Sequence, residues 1–383
     1  MSPEPTEPAA KAAATDEATQ VATVETAAFR IPTDAPEADG TFAWDATTLV
    51  LVTVRTADPR GPAGTGWTYA PAAAAAFIQE LLAPVVVGRS VGDVTAAWTA
   101  MRAALRNAGR PGLGAMAISA LDVALWDLQG RLRGLPLHRL WGATRPSVPV
   151  YGSGGFTTYD DDRTARQLEG WLAEGFGSVK IKIGESWGTR VERDLHRVAL
   201  ARRVAGERTG LFVDANGGYQ VGQAVRVGRR LADHGVTWFE EPVSSDDTDG
   251  LGRVRRALDC DVAAGEYCYE PRDAARLLDA GAVDCLQLDA TRCGGYTGWF
   301  RAAALAETRG LQVSGHCAPY LHAPVAAATP ALRHVEWFHD HVRIEQRLLE
   351  PAYGAPGGLL APSERPGHGW DVRPGRLAEH RVA

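Results

Sequence analysis

Three acids stand at a regular interval in this chain. Asp214 closes the run LFVD, Glu240 closes VTWFE and Glu266 closes DVAAGE, each 26 residues after the one before. Three carboxylates brought together repel one another unless a divalent cation sits among them, and an all-oxygen donor set suits a hard ion such as magnesium. Taken singly, each acid is as well explained as a helix cap or a surface group, so the weight rests on the repeat. Upstream, Lys180 and Lys182 lie two apart in VKIKI. On a strand they share one face while Val179, Ile181 and Ile183 take the other, so either two ammonium groups converge on a site or an edge strand turns its lysines to solvent. Downstream, Asp289 ends VDCLQLD and His316 ends LQVSGH. A carboxylate beside an imidazole orients it and raises its basicity, which makes a general acid/base dyad, although Asp289 could equally cap a turn. Glu336, in HVEW, is the last acid. Buried, it could stay protonated and donate to an oxyanion, or it could pair with a lysine.

These residues need elements that bring them together. From Val148 onward, eight short apolar runs (VPVYG, SVKIKI, LFVDAN, VTWFEE, DVAAGE, VDCLQLD, LQVSGH and HVEW) alternate with stretches of helical periodicity. Leu168, Trp171 and Leu172 mark one such stretch, and Val221, Ala224, Val225 and Gly228 another. Strand and crossover helix in alternation predict an α/β fold with a parallel sheet. A closed barrel is preferred to a doubly wound sheet, because VYGSGGF lacks the G-x-G-x-x-G spacing of a dinucleotide turn. In a barrel both strand faces are covered, so charged residues at strand ends point to the C-terminal mouth. TRCGGYTG lacks the Lys-Ser/Thr pair of a phosphate loop and reads as a tight turn.

The chain divides into a tail over 1–20, an α+β unit over 21–143, the barrel over 144–345 and a C-terminal segment over 346–383. The tail, rich in Ala, Pro, Thr and Glu, carries no signal-peptide core and is expected to be disordered. In the α+β unit, TLVLVTVRT is a strand, and Leu121, Leu125 and Leu128 stripe a helix that ends near Gly134 and Pro136. A length of 383 residues at 45% apolar content supports one large core and a smaller one. A net charge of −6 without a basic run excludes nucleic acid and an anionic membrane as partners, and a small molecule is expected instead. No window is apolar enough to span a bilayer. Cys260, Cys268, Cys285, Cys293 and Cys317 are odd in number with no C-x-x-C pair, which fits reduced thiols in the cytoplasm.

With K-x-K, D-x-N, E-E-P, G-E and a late D…H…E in this order, the chain resembles the mandelate racemase subgroup of the enolase superfamily (mandelate racemase/muconate lactonizing enzyme-like proteins). VKIKIG, VDANGGY, WFEEP, AAGEY, LDATRCGGYTGW and VSGH are similar to that subgroup's barrel strands, and ISALDVALWDLQGRLRGLPLHRLWGA to the end of its capping domain. The resemblance implies a (β/α)7β-type modified TIM barrel, an N-terminal capping domain to which the C-terminal segment returns, and a homo-oligomer. It implies that Asp214, Glu240 and Glu266 hold Mg2+ with Asn216 beside them, and that the metal also binds a substrate carboxylate. Lys182, its pKa lowered by Lys180, would serve one face as acid/base, His316 assisted by Asp289 the other, and Glu336 would bond an enediolate oxygen. The reaction implied is abstraction of the proton next to a carboxylate. We favour dehydration of an acid sugar to a 2-keto-3-deoxy acid, with racemisation or epimerisation of a hydroxy or amino acid as the alternative and a non-catalytic metal-binding barrel as the third. Specificity loops are expected in PTDAPEADGTFAW and around GTGWTYA.

Overall fold

The computed structural model describes residues 19–383. The expected tail therefore lies, for residues 1–18, outside the described residues, and Gln20 already bridges to Ser90. Strands β1 (Val21–Ala38), β2 (Ala43–Thr56) and β3 (Ala63–Tyr69) form an antiparallel meander. The β-branched run of β2 packs Val50, Val52 and Val54 from one face into a core shared with Trp98, Met101, Leu121, Leu125 and Leu128 of the cap helices. The longest cap helix, Leu113–Arg133, ends at Gly134 in the left-handed region, where Cβ would carry a steric cost and glycine has none.

β3 is a correction. Its stretch GTGWTYA is not a loop over the mouth but the third strand of the cap sheet, with Trp67 fully buried. Its glycines are there for packing: a Cβ on Gly66 would lie 2.3 Å from the Ala120 carbonyl, so only glycine lets helix and sheet backbones meet.

Eight parallel strands follow, each in one of the expected runs: β4 (Val148–Gly154), β5 (Ser178–Lys182), β6 (Gly210–Asp214), β7 (Val236–Glu240), β8 (Asp261–Ala264), β9 (Cys285–Leu288), β10 (Gln312–Gly315) and β11 (Leu332–Phe338). They hydrogen-bond in sequence order, and β11 pairs back on β4, which closes the barrel. Crossover helices such as Asp161–Ala173 and Val221–Ala232 surround it. Val179, Ile181, Val213 and Phe239 face those helices in one continuous core. Tyr151, Phe212, Trp238, Ala263 and Cys285 pack together from the opposite, inward faces. After β11 the helix His339–Leu348 turns toward the cap, where the Glu345 carboxylate accepts from the Trp67 indole at 3.0 Å and the Tyr69 hydroxyl at 3.3 Å. The last residues run beside β1, Arg381 bridging to Phe29. No helix among the described residues is long and apolar enough to cross a membrane.

Candidate active site

Parallel register does the first work of assembly. Lys182 on β5 stands opposite Asp214 on β6, and Asp214 opposite Glu240 on β7. Glu266, Asp289 and His316 fall just beyond the ends of β8, β9 and β10, and Glu336 lies within β11. All eight side chains singled out in the sequence, Lys180 included, are buried at this one mouth. Asp214, Glu240 and Glu266 each offer an oxygen within 4.8 Å of the others. Lys180 Nζ sits 2.5 Å from Glu240 and 2.8 Å from Glu336, and Lys182 Nζ 2.5 Å from Asp214. On the far side His316 Nδ1 is 2.8 Å from Asp289 Oδ2, which leaves Nε2 facing the site 3.1 Å from Glu266 Oε2.

The charges compensate unevenly. Burial works against both ammonium groups, but the carboxylates beside them outweigh it and raise both lysine pKa values. For Lys180 these are Glu240, Glu336 and Asp214; for Lys182, Asp214, which also overrides the lowering by Lys180. Burial disfavours the imidazolium of His316 as well, yet Cys317, Glu266 and Asp289 lift its pKa. Burial would raise Glu266, but His316 and Arg292 hold it well below the usual carboxylate range. Glu336 is likewise held low, by Lys180 and His316 against burial. It accepts from Lys180 and from Ser153 Oγ on one oxygen and from the Cys317 N–H on the other, so the lysine-paired alternative describes it. Glu240 goes the other way: burial, with Asp214 and Glu336 nearby, pushes it up to about 8 despite Lys180. The trio is thus short of positive charge, as an all-oxygen cation site should be. Glu266 Oε2 meets only the His316 ion pair, and the buried Oδ1 of Asn216, whose backbone N–H donates to Asp214, accepts no hydrogen bond. This donor set fits Mg2+.

Three participants escaped the sequence reading. Glu241 is buried beside the trio with Oε1 unpartnered, and burial with Glu266, Asp214 and Glu240 around it raises its pKa well above the carboxylate range. The doublet Glu240-Glu241 was its only signal. Arg292 reaches from the TRCGGYTG turn to Glu266 at 3.0 Å and to Asp289 at 3.5 Å, linking the acid trio to the Asp289–His316 pair. The turn itself is tight, as expected, and is fastened to the cap by Ser119 Oγ, which accepts from the N–H groups of Gly294 and Gly295. Ser153 is the third. Backbone strain gathers here too: Asn216, Glu241, Cys317 and Ala318, all just past strand ends, have positive φ. Above the mouth, the β1–β2 turn inserts Gly40, where a Cβ would come within 2.7 Å of the Ile183 and Ala215 carbonyls. The Trp187 N–H donates to the Gly40 carbonyl at 2.9 Å and holds the turn down.

Comparison with known proteins agrees with this geometry. Residues 163–376 match the family described as Enolase C-terminal domain-like, and residues 18–142 the Mandelate racemase / muconate lactonizing enzyme, N-terminal domain. The chain belongs to the mandelate racemase subgroup of the enolase superfamily. A mandelate racemase/muconate lactonizing enzyme-like protein from Rubrobacter xylanophilus superposes with a TM-score of 0.91 at 42% identity, over 95% of this chain and 100% of that one. The L-talarate/galactarate dehydratase from Salmonella typhimurium LT2, liganded with Mg and L-lyxarohydroxamate, superposes at 0.88 with 26% identity, over 100% and 96%. The D-galactarolactone cycloisomerase of Agrobacterium fabrum is 32% identical over 91% of this chain and 95% of that protein.

Proposed function

We propose that this protein is a magnesium-dependent enzyme that removes the proton next to the carboxylate of an acid sugar and expels an oxygen from the neighbouring carbon. With hydroxyl as the leaving group, the reaction is dehydration to a 2-keto-3-deoxy acid. The observation that carries the reading is the placement of two unlike proton carriers on either side of the acid trio: Lys182 on β5 and the Asp289-held His316 beyond β10.

A magnesium ion held by Asp214, Glu240 and Glu266 would neutralise substrate carboxylate charge and, by engaging acids now paired with the lysines, bring their pKa values down toward those of a base. Lys182 then takes the α-proton, and the C–H electron pair moves into an enediolate. Lys180, bound to Glu336, supplies positive charge beside it. His316, charged and with Nε2 facing the site, gives its proton to the departing oxygen as the carbon–oxygen bond breaks. Asp289 accepts from Nδ1–H, so the proton given up is the one on Nε2. Asn216 lies beside the trio, and the β1–β2 turn covers the substrate.

The substrates named for the similar proteins, talarate, galactarate and galactarolactone, support an acid sugar. The cycloisomerase also widens the set of leaving groups, since a ring oxygen can depart from the same arrangement as water. The second reading, racemisation or epimerisation, rests on the same pair, because two carriers on opposite faces can take and return one proton. The five free thiols support a cytoplasmic setting, and the homo-oligomer stands on family likeness alone.

The test is Mg2+-dependent turnover of an acid-sugar library in deuterium oxide, followed by a keto-acid assay and NMR of the α-position. Keto-acid product is the expected outcome. Exchange at the α-carbon with inverted configuration and no product would replace dehydration by racemisation, and neither product nor exchange across the library would remove acid sugars as the substrate class.

A further inference from the structure

Where the cap strand β1 crosses the barrel, its pairing with β2 breaks between Pro32 and Glu37. This irregular stretch turns two acids, Asp34 and Glu37, toward His339, the first residue of the helix after β11. One donor atom from each of the three lies within 4.8 Å of the others. His339 Nε2 is 3.1 Å from Asp34 Oδ2. Asp34 Oδ1 is taken by Arg163 at 3.1 Å, so the acid is oriented by one oxygen and presents the other.

Glu37 gives the independent indication of a ligand. It is 1% exposed, its Oε2 accepts from the Trp44 indole at 2.8 Å, and its Oε1 has no hydrogen-bond partner. Folded chains rarely leave a buried carboxylate oxygen without a partner. An ion between Asp34 and His339 would supply the missing partner.

We propose that Asp34, Glu37 and His339 form a second metal site, for a divalent transition ion such as Zn2+, that staples the cap strand to the barrel. The two sites are separated by donor chemistry. Three carboxylates at the mouth suit a hard cation. Two carboxylates with one imidazole select a softer, nitrogen-preferring ion with three protein ligands and one open position. The ligands come from both sides of the seam, so the ion holds closed the strand that leads into the Gly40 turn. It takes no part in proton transfer.

The experiment is calorimetric titration of the full-length protein with ZnCl2 in a saturating excess of Mg2+, for wild type, Glu37→Gln and His339→Gln. Glu37→Gln keeps the size of the side chain and an acceptor for Trp44, and His339 is partly exposed, so both variants should fold, which a melting curve checks. Expected is one Mg2+-resistant Zn2+ per wild-type chain, weakened at least about tenfold in each variant, with a Zn2+-dependent rise in Tm that both variants lose. Absence of a Mg2+-resistant ion, or binding unchanged in either variant, overturns the site.

Discussion

The barrel mouth and the cap seam both bury carboxylates, and they treat them in opposite ways. At the mouth, Glu266, Asp289 and Glu336 are ringed by Arg292, His316 and Lys180, and all three are held below the usual carboxylate range although burial works against it. At the seam, Glu37 meets the Trp44 indole, and Glu345 meets the Trp67 indole, the Tyr69 hydroxyl and the Tyr320 N–H. Neutral donors do not repay the loss of water around a charge, so burial pushes both acids up to about 8. The mouth keeps its charges because it must act on a charged substrate. At the seam no cation bonds either acid: Glu345 only has to hold two units together, and Glu37 would regain its charge on the ion proposed for the Asp34–His339 site. Glu240 departs from the mouth's rule, since crowding by Asp214 and Glu336 adds to burial and lifts it to about 8 as well. That local excess of negative charge is what a cation at the trio would relieve.

The largest expected effect comes from breaking the mouth at either proton carrier. Lys182→Ala should lower kcat by about 10²- to 10⁴-fold, the usual contribution of one general acid or base, and should abolish α-proton exchange. His316→Asn should lower turnover by a similar factor yet leave exchange, because proton removal survives when only the acid for the leaving oxygen is gone. The two variants side by side, with exchange read by NMR, separate the roles. Exchange that survives in Lys182→Ala would mean that His316 also takes protons, which is the racemase arrangement.

Arg292 sharpens the comparison by a smaller step. It touches no reacting atom in this reading but sets the charge of Glu266 and the position of Asp289. Arg292→Gln should weaken Mg2+ binding by about 10- to 100-fold, the range for groups that orient metal ligands. It should also make that binding more sensitive to acid, since Glu266 loses a cation that keeps it ionised. Mg2+ titrations at several pH values check both effects; a variant with a lower kcat and unchanged Mg2+ affinity would assign Arg292 to the dyad alone.

The two regions also differ in how much of them the sequence discloses. Mouth residues were legible because local periodicity carries them. Alternation within VKIKI puts Lys180 and Lys182 on one face, and a strand-helix repeat returns an acid to the same level every 26 residues. Seam residues have no such carrier. Glu345 finds Trp67 across 278 residues of chain, and nothing local marks either as a partner. Family likeness pointed to a specificity loop around GTGWTYA, whereas its glycines are dictated by a helix that packs on the strand from the other side, a tertiary fact that overrides the local reading. Arg292 was hidden in a turn read only for its glycines. Glu241 stood in plain view in WFEEP, but its neighbour satisfied the pattern first.

The smallest and most diagnostic effect tests the neutral half of the comparison. Glu345 has a raised pKa in the folded chain, about 8 against an ordinary 4.5. A raised value means that the folded state holds its proton more tightly than the unfolded state, so its contribution is fully present below pH 4.5. That contribution is lost progressively as pH rises toward 8, above which both states have given up the proton. Within that window the slope from this one group can reach about 1.4 kcal/mol per pH unit. Glu345→Gln keeps the shape and an acceptor for Trp67 but has nothing to titrate. Urea unfolding at pH 5 to 9 should therefore show wild-type stability falling more steeply than that of the variant between pH 5 and 8, with parallel curves above. Equal slopes across the range would mean that Glu345 is ionised in the fold. The seam would then carry a buried charge on neutral hydrogen bonds alone, and the contrast with the mouth would disappear.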